Sequence, residues 1–340
     1  MALEGPRRAS TANAIADCLK SAYSAENVEL VDINKLRTSK QKIEFTKMQS
    51  TGNDFIVVNA MEQPVKNPAG LAVRLCDRRT QVGADSLVLI EKSDKADATM
   101  RFFNRDGTES RMAGNAIRAV AKYLYDNNIN GIADRHEPSS PTATLTVDTE
   151  AGVKSLLLYK LNGKVNSVRV DMGAPKFKPK NIPTNLGVAP VSLGGKTPAE
   201  AVVAQKIDVA GNSYSVTSVA VGNPHCVVFS KFVDKERVTE VGPMIENHPA
   251  FPERTNVEFV RVVGKNELKM RTWERGNGET PACGTGACAA AVAAVLNGFC
   301  PLDEDITVKV RGGELIVRYT GETVFLTGTT AVCFSGEIEI

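Results

Sequence analysis

The chain repeats itself at an offset of 170 residues, and this repeat constrains its fold more than any other feature of the sequence. The segment 100–105 (MRFFNR) aligns without a gap on 270–275 (MRTWER). Far upstream, Gly52-Asn53 falls on Gly222-Asn223 at the same offset. Two separated matches in one register indicate two homologous halves that arose by duplication, with a site built between them.

Each half contains the same succession of a strand, a glycine-containing turn and a helix. The first helix is predicted over 116–125, after a turn that contains Ala113. The second is predicted over 289–296, after a turn that contains Cys283, and consists almost entirely of helix-forming residues. Each half therefore brings a tight turn to a helix N-terminus.

The rest of the chain favours strands, because β-branched and apolar residues alternate over many short segments. The predicted strands are 98–104, 143–147, 153–159, 165–170, 215–221, 268–274, 306–310 and 315–319. This pattern predicts an α+β fold of two pseudo-symmetric domains, each a mostly antiparallel sheet or barrel wrapped around a central helix.

The offset also places the domain boundaries. We expect an N-terminal half over 43–170 and a C-terminal half over 171–328, with a final strand at about 329–340 joining the first half. Residues 1–42 have no counterpart at the offset and are predicted to be an N-terminal extension, in which 11–24 is compatible with a short amphipathic helix. The extension contains several acidic residues, so a removable targeting peptide is the less favoured alternative. We expect a cytoplasmic protein, or an organellar one if the extension is a transit peptide.

Composition and charge argue against several classes of function. The net charge is +2 without a long basic run, so we expect a small-molecule partner and neither nucleic acid nor membrane. The seven cysteines contain no Cys-x-x-Cys pair and the three histidines lack metal-site spacing, so we predict neither a disulfide framework nor a metal site. No glycine-rich segment has the pattern of a nucleotide-binding loop.

The two helix openings predict a site for a carboxylate, because a helix N-terminus presents unpaired N–H groups and the positive end of a dipole. Cys283 stands at one opening, where a cysteine tends toward the thiolate and can act as a base. The alternative is a small buried apolar side chain, although polar neighbours on both sides favour catalysis. Such a site suits removal of the proton beside a carboxylate, and two flanking bases would racemise that carbon without a cofactor.

Over about residues 43–340 the chain resembles diaminopimelate epimerases, cofactor-independent enzymes of lysine and peptidoglycan-precursor synthesis. The resemblance rests on 47–55, 103–107, 222–226, 255–257 and 274–286. It implies an isomerase that interconverts LL- and meso-diaminopimelate by removing and returning the α-proton, with no cofactor, as a monomer or homodimer.

The resemblance also implies a set of substrate contacts. The residues that would hold the distal amino and carboxylate groups are Asn104, Asn223, Asn256, Glu274 and Arg275. Asn53 and Ser86 would add contacts, although the family often has Gln or Gly at the position of Ser86. The groups expected at the reacting carboxylate are those of Gly114, Asn115, Gly284 and Thr285. For the asparagines the alternative role is turn capping.

One base of the family's pair is missing. The family has a second cysteine at the helix opening of the first half, where this chain has Ala113, and commonly another at the position of Ala119. The repeat gives the same result, because it aligns Cys283 with Ala113. We expect neither His225 nor Cys226 to replace the missing acid, since the repeat places them away from a helix opening.

Three interpretations follow from this departure. The first is a diaminopimelate epimerase-type enzyme altered at one base. The second is a racemase of another amino acid, or a one-base isomerase or eliminase. The third is a non-catalytic amino-acid-binding protein of the same fold. The retained distal residues favour the first.

Overall fold

Alternating apolar residues form strands over most of the chain in the computed structural model, which describes residues 42–110, 113–191, 200–233 and 235–339. Within these ranges the strands are β1 (Lys42–Ser50), β2 (Asn53–Asn59), β3 (Ser86–Glu91), β4 (Ala98–Asn104), β5 (Glu109–Ser110), β6 (Thr142–Asp148), β7 (Lys154–Leu161), β8 (Lys164–Asp171), β9 (Ala189–Pro190), β10 (Glu200–Val209), β11 (Asn212–Ala220), β12 (Pro224–Phe229), β13 (Asn256–Gly264), β14 (Glu267–Glu274), β15 (Gly278–Thr280), β16 (Asp305–Val310), β17 (Gly313–Tyr319), β18 (Val324–Thr329) and β19 (Ala331–Glu339). The α-helices are α1 (Pro68–Leu75), α2 (Gly114–Asp126), α3 (Lys235–Glu246) and α4 (Gly284–Leu296), and short 3₁₀ turns lie at Ile129–Gly131, Ala133–Arg135 and Pro179–Asn181.

The two halves share one strand connectivity. In the first, β2 lies parallel to β3, β3 antiparallel to β4, β4 parallel to β6, and β6, β7 and β8 form an antiparallel meander. In the second, β12, β13, β14, β16, β17 and β18 repeat this order of parallel and antiparallel pairs. The last strands of the two meanders, β8 and β18, pair antiparallel and join the halves, while β19 pairs with β1.

One helix lies at the centre of each half. Helix α2 packs its apolar face, including Ile117, Val120 and Leu124, into the core of the first half. Helix α4 consists mostly of alanine, glycine, valine and cysteine and is buried on nearly every side, with Thr285 the one part-exposed residue of its span. Small side chains let the surrounding strands approach the helix closely, and a helix that is apolar all round belongs in a core.

The register of the repeat holds through both central helices and is then lost. Helices α2 and α4 each have 13 residues, and both of their bounds differ by the offset of the repeat. Beyond them, β6 begins at Thr142 and β16 at Asp305, since the connection after α2 is longer and contains two 3₁₀ turns. The duplication is therefore best preserved in the elements that bring the two helix N-termini into place.

The predicted α+β architecture, with a mostly antiparallel sheet around one helix in each half, is confirmed. Every predicted strand overlaps an observed one. Both central helices begin earlier than predicted, at Gly114 and Gly284, because the small residues assigned to the turn form the first helical turn.

Residues Glu44–Glu337 form one compact unit that contains both halves, and the domain boundaries stay a prediction. The predicted extension lies outside the described residues except for its last position, and so does its amphipathic segment 11–24.

Candidate active site

Cys283 is the N-cap residue of α4. Its backbone is extended, with φ −118° and ψ 115°, and its Sγ accepts a hydrogen bond from the Gly286 N–H at 3.3 Å. The Thr285 hydroxyl lies 3.5 Å from Sγ. The thiol thus holds one of the free N–H groups of the helix N-terminus, although its residue is only 8 % exposed.

The tendency toward the thiolate that the helix N-terminus predicts for Cys283 is outweighed in the folded protein. Burial raises the pKa of the Cys283 thiol well above its usual value of 9.0, and the carboxyl groups of Glu274 and Glu258 raise it further. The hydrogen bonds from Thr285 and Gly286 act in the opposite direction, but more weakly. The sequence shows the helix N-terminus but not the burial and the two buried carboxyl groups, which come from strands β13 and β14.

Ala113 occupies the matching position on α2. It is the N-cap residue, its backbone is extended with φ −140° and ψ 104°, and its side chain makes no cap hydrogen bond. The Ala113 carbonyl accepts from the N–H of Ile117, as the Cys283 carbonyl accepts from the N–H of Ala287. The two cap positions therefore share one backbone geometry, and the first lacks a group that can carry a proton.

The N-terminal turns of α2 and α4 lie against each other. A methyl group added at Gly284 would come within 3.2 Å of Asn115 Oδ1 and 3.1 Å of Leu326 Cδ2. The same Leu326 atom would lie 3.6 Å from a methyl group added at Gly114. Glycine at position 284 therefore lets the N-terminus of α4 lie close to Leu326 and to Asn115 of α2.

Four candidate asparagines lie in turns or at strand ends: Asn53, Asn104, Asn223 and Asn256. A protein group already contacts each of their side-chain amides. Asn53 Nδ2 donates to Asp85 and Asn104 Nδ2 donates to Thr108, at 2.5 and 2.9 Å. Asn223 Oδ1 lies 2.8 Å from His225 Nε2. These contacts orient the amides and fit both turn capping and substrate binding.

Asn256 is the most fully engaged of the four. Its Nδ2 donates to the Pro224 carbonyl and its Oδ1 accepts from the Arg275 N–H, each at 2.9 Å. Asn256 thus ties the turn at Pro224 to the strand end at Arg275.

Ser86, which is 3 % exposed, pairs with Asn104 across β3 and β4.

Glu274 is the last residue of β14, and Arg275 follows it in the next turn. Thr280 Oγ1 donates to Glu274 Oε1 at 2.5 Å, and burial raises the pKa of the Glu274 carboxyl. The Arg275 guanidinium donates to the Glu253 carbonyl at 2.9 Å. Glu246 holds this turn from outside by accepting the Gly276 N–H at 3.0 Å.

A buried pair beside Cys283 escaped the sequence analysis. His225 Nδ1 lies 2.8 Å from Glu258 Oε1, and both residues are 0 % exposed. A methyl group added at Gly286 would lie 2.7 Å from the same Glu258 oxygen and 3.2 Å from Cys283 Sγ. One signal was available for Glu258, since it follows the candidate Asn256 by two residues on β13 and so lies on the same face of that strand.

Open grooves lie elsewhere on the described part of the chain. Two open grooves of about 750 and 760 Å³ are lined by Arg135 and His136 among others, and by no candidate site residue. Among the described residues no cluster of His, Cys, Asp or Glu has the arrangement of a metal site, and the six described cysteines are free thiols. No helix in the described ranges is both long and apolar enough to cross a membrane.

Comparison of this chain with known sequences identifies its family. The sequence profile described as "Diaminopimelate epimerase" matches residues 45–178 and 217–332. The chain belongs to the diaminopimelate epimerase family. The diaminopimelate epimerase of Desulfovibrio desulfuricans is 43 % identical over 300 residues, which cover 88 % of this chain and 99 % of that protein. The diaminopimelate epimerase of Pelotomaculum thermopropionicum is 46 % identical over 297 residues, covering 86 % and 98 %.

A solved structure of low sequence identity shares the fold. The hydroxyproline epimerase of Agrobacterium vitis superimposes with a TM-score of 0.61 at 14 % identity, covering 89 % of this chain and 94 % of that one. By its sequence relatives the chain is a member of an isomerase family, the diaminopimelate epimerases, and the family name places it in lysine biosynthesis.

The raised pKa of Cys283 predicts an alkylation profile. Iodoacetamide should modify Cys283 about tenfold faster for each unit of pH, without a plateau up to pH 9.0, because only the thiolate reacts. Peptide mass spectrometry would follow Cys283 in the Cys333→Ala variant, which lacks the exposed cysteine of the described residues. A plateau at neutral pH would show that the free protein holds a thiolate.

Proposed function

We propose that this chain binds diaminopimelate with the reacting carboxylate between the N-termini of α2 and α4, and that Cys283 alone moves the α-proton. The observation that carries this proposal is the pair of matching cap positions, of which one holds Cys283 and the other Ala113. The family of the chain supports diaminopimelate as substrate.

Proton transfer then uses one face of the α-carbon. The Cys283 thiolate takes the α-proton, and the electron pair of the broken C–H bond moves onto the carboxylate. The free N–H groups of the two helix ends stabilise the charge that grows on its oxygens. The resulting thiol returns a proton to the same face. The substrate carbon therefore exchanges its hydrogen and keeps its configuration.

Substrate binding favours the reactive form of Cys283. The free protein holds a neutral thiol near Glu274 and Glu258, both of which raise its pKa. Each ammonium group of diaminopimelate that binds beside these carboxyl groups offsets their charge and lowers the pKa of the thiol. This proton transfer needs no cofactor.

The distal end of the substrate sets the specificity. We assign its carboxylate to Arg275 and its ammonium group to Glu274, with Asn53, Ser86, Asn104, Asn223 and Asn256 shaping the same region. A guanidinium can hold a carboxylate through two parallel hydrogen bonds, which a lysine ammonium cannot.

Replacing Arg275 with lysine should weaken the binding of meso-diaminopimelate by roughly tenfold, because the two-pronged contact is lost. Isothermal titration calorimetry would measure the change. Arg261→Lys is the matched control, since Arg261 is exposed on β13. Equal affinity of the Arg275→Lys variant and the unaltered chain would remove Arg275 from the site.

A second candidate function is amino-acid binding without catalysis. Ala113 and the neutral thiol of Cys283 favour it, because neither supplies a base in the free protein. Such a protein would bind diaminopimelate in the same calorimetric experiment and would not exchange its α-hydrogen.

We further propose that the protein works in the cytoplasm as a monomer or homodimer. Its partner would be a small amino-acid molecule rather than a nucleic acid or a membrane. The near-balanced charge of +2 supports this choice of partner.

A further inference from the structure

Arg118 of α2 is a fully buried cation whose hydrogen-bond partners are all neutral. Its residue is 0 % exposed. The Nη1 atom donates to the Gly114 carbonyl at 3.2 Å, and Nη2 donates to Asn115 Oδ1 at 2.9 Å and to Thr51 Oγ1 at 3.1 Å. The Nε atom is buried without a hydrogen-bond partner. None of the ion pairs formed by the described residues includes Arg118.

This cation lies beneath the meeting point of the two helix N-termini. Asn115 Oδ1, which accepts from Arg118, would be 3.2 Å from a methyl group added at Gly284 of α4. On its other side the guanidinium packs against β18, where a methyl group added at Gly328 would lie 2.9 Å from Arg118 Cζ. The positive charge is therefore held in place by both halves of the chain.

A buried charge without a counter-charge destabilises the free protein. Burial lowers the pKa of Arg118 to about 10, and Arg118 still carries its charge at neutral pH. Protein interiors hold such groups when an opposite charge is supplied close by. Here the candidate site above the cation is where an anionic group of the ligand would arrive.

We propose that Arg118 is a positioning residue of the epimerase site, which orients Asn115 and supplies the counter-charge for the reacting carboxylate of the substrate. The inference rests on the proposed function, since it takes the carboxylate to lie between α2 and α4. Arg118 acts through Asn115 and through its field rather than by touching the substrate. Its effect grows when the α-proton leaves, because the carboxylate oxygens then carry more negative charge.

The test compares two ligands that differ by one carboxylate. meso-Diaminopimelate has a carboxylate at both ends. L-Lysine has the same carbon chain with one carboxylate, and we assign its amino-acid end to Arg275 and Glu274, so that it lacks the reacting carboxylate. In titration calorimetry, Arg118→Met should weaken diaminopimelate binding by about tenfold or more and leave lysine binding unchanged. Arg118→Lys, which keeps the charge, should recover part of the loss. Arg101→Met is the matched control, since Arg101 is paired with Glu91 and Glu109 in the first half.

The outcomes separate this inference from the proposed function. Suppose that the unaltered chain binds diaminopimelate. The role of Arg118 is then refuted if Arg118→Met weakens the binding of both ligands equally, or if it weakens the binding of neither. If the unaltered chain does not bind diaminopimelate, the proposed function fails first.

A second variant tests the buried charge without any ligand, and it also serves if Arg118→Met does not fold. Asn115→Asp places a carboxylate on the atom that accepts from Arg118, so the melting temperature of the free protein should rise. An unchanged or lower melting temperature would show that Arg118 does not lack a counter-charge.

Discussion

Replacing Ala113 with cysteine is expected to introduce conversion of LL- to meso-diaminopimelate, at about 10²- to 10⁴-fold above the background rate seen with the unaltered chain, the usual contribution of one general acid or base. The backbone at Ala113 is extended like that at Cys283, so the new thiol can reach the first free N–H groups of α2 as Cys283 does on α4. The second face of the α-carbon then has its own proton donor. Chiral chromatography of the reaction mixture would measure the gain.

Ala113→Ser is the matched control for this variant. It adds a hydroxyl group of similar size at the same cap, where it can accept the N–H groups but hardly ionises at neutral pH. It should therefore gain little activity. An Ala113→Cys variant with unchanged activity would contradict the two-base interpretation of the duplicated helix openings.

Replacing Cys283 with alanine should reduce α-hydrogen exchange of diaminopimelate to the background rate, a loss of about 10²- to 10⁴-fold. Among the cap residues of the two central helices it is the one that can accept a proton. Binding of diaminopimelate should persist, because the distal contacts lie on other elements. Exchange into solvent D2O, followed by NMR, would measure the loss.

The control for this second variant is Cys333→Ala, which removes an exposed thiol on β19. Its exchange rate should equal that of the unaltered chain. Exchange that persisted in Cys283→Ala would mean that another group is the base.

The repeat made much of the fold predictable. Its register aligned Ala113 with Cys283, and the two helices that follow have the same length and matching bounds. Periodicity located the strands because one face of each packs on a central helix. The predicted starts of these helices were late, since glycine and small polar residues at a first turn resemble a loop in sequence.

The electrostatics of the site could not be predicted in the same way. The helix opening alone suggested a thiolate at Cys283, yet burial and two carboxyl groups give a neutral thiol. Glu258 comes from β13 and lies far from Cys283 in sequence, so only the folded sheet brings them together. Arg118 was missed for a related reason, because a lone arginine in a helix is usually exposed.

The most direct test of the account is incubation of the unaltered chain with LL- and with meso-diaminopimelate in D2O, with NMR for α-hydrogen exchange and chiral chromatography for the stereoisomers. We predict exchange of the α-hydrogen without inversion, because Cys283 serves one face of the α-carbon and Ala113 cannot serve the other. Exchange with inversion would contradict it and reveal a second acid, while binding without exchange would contradict it in favour of a non-catalytic binder.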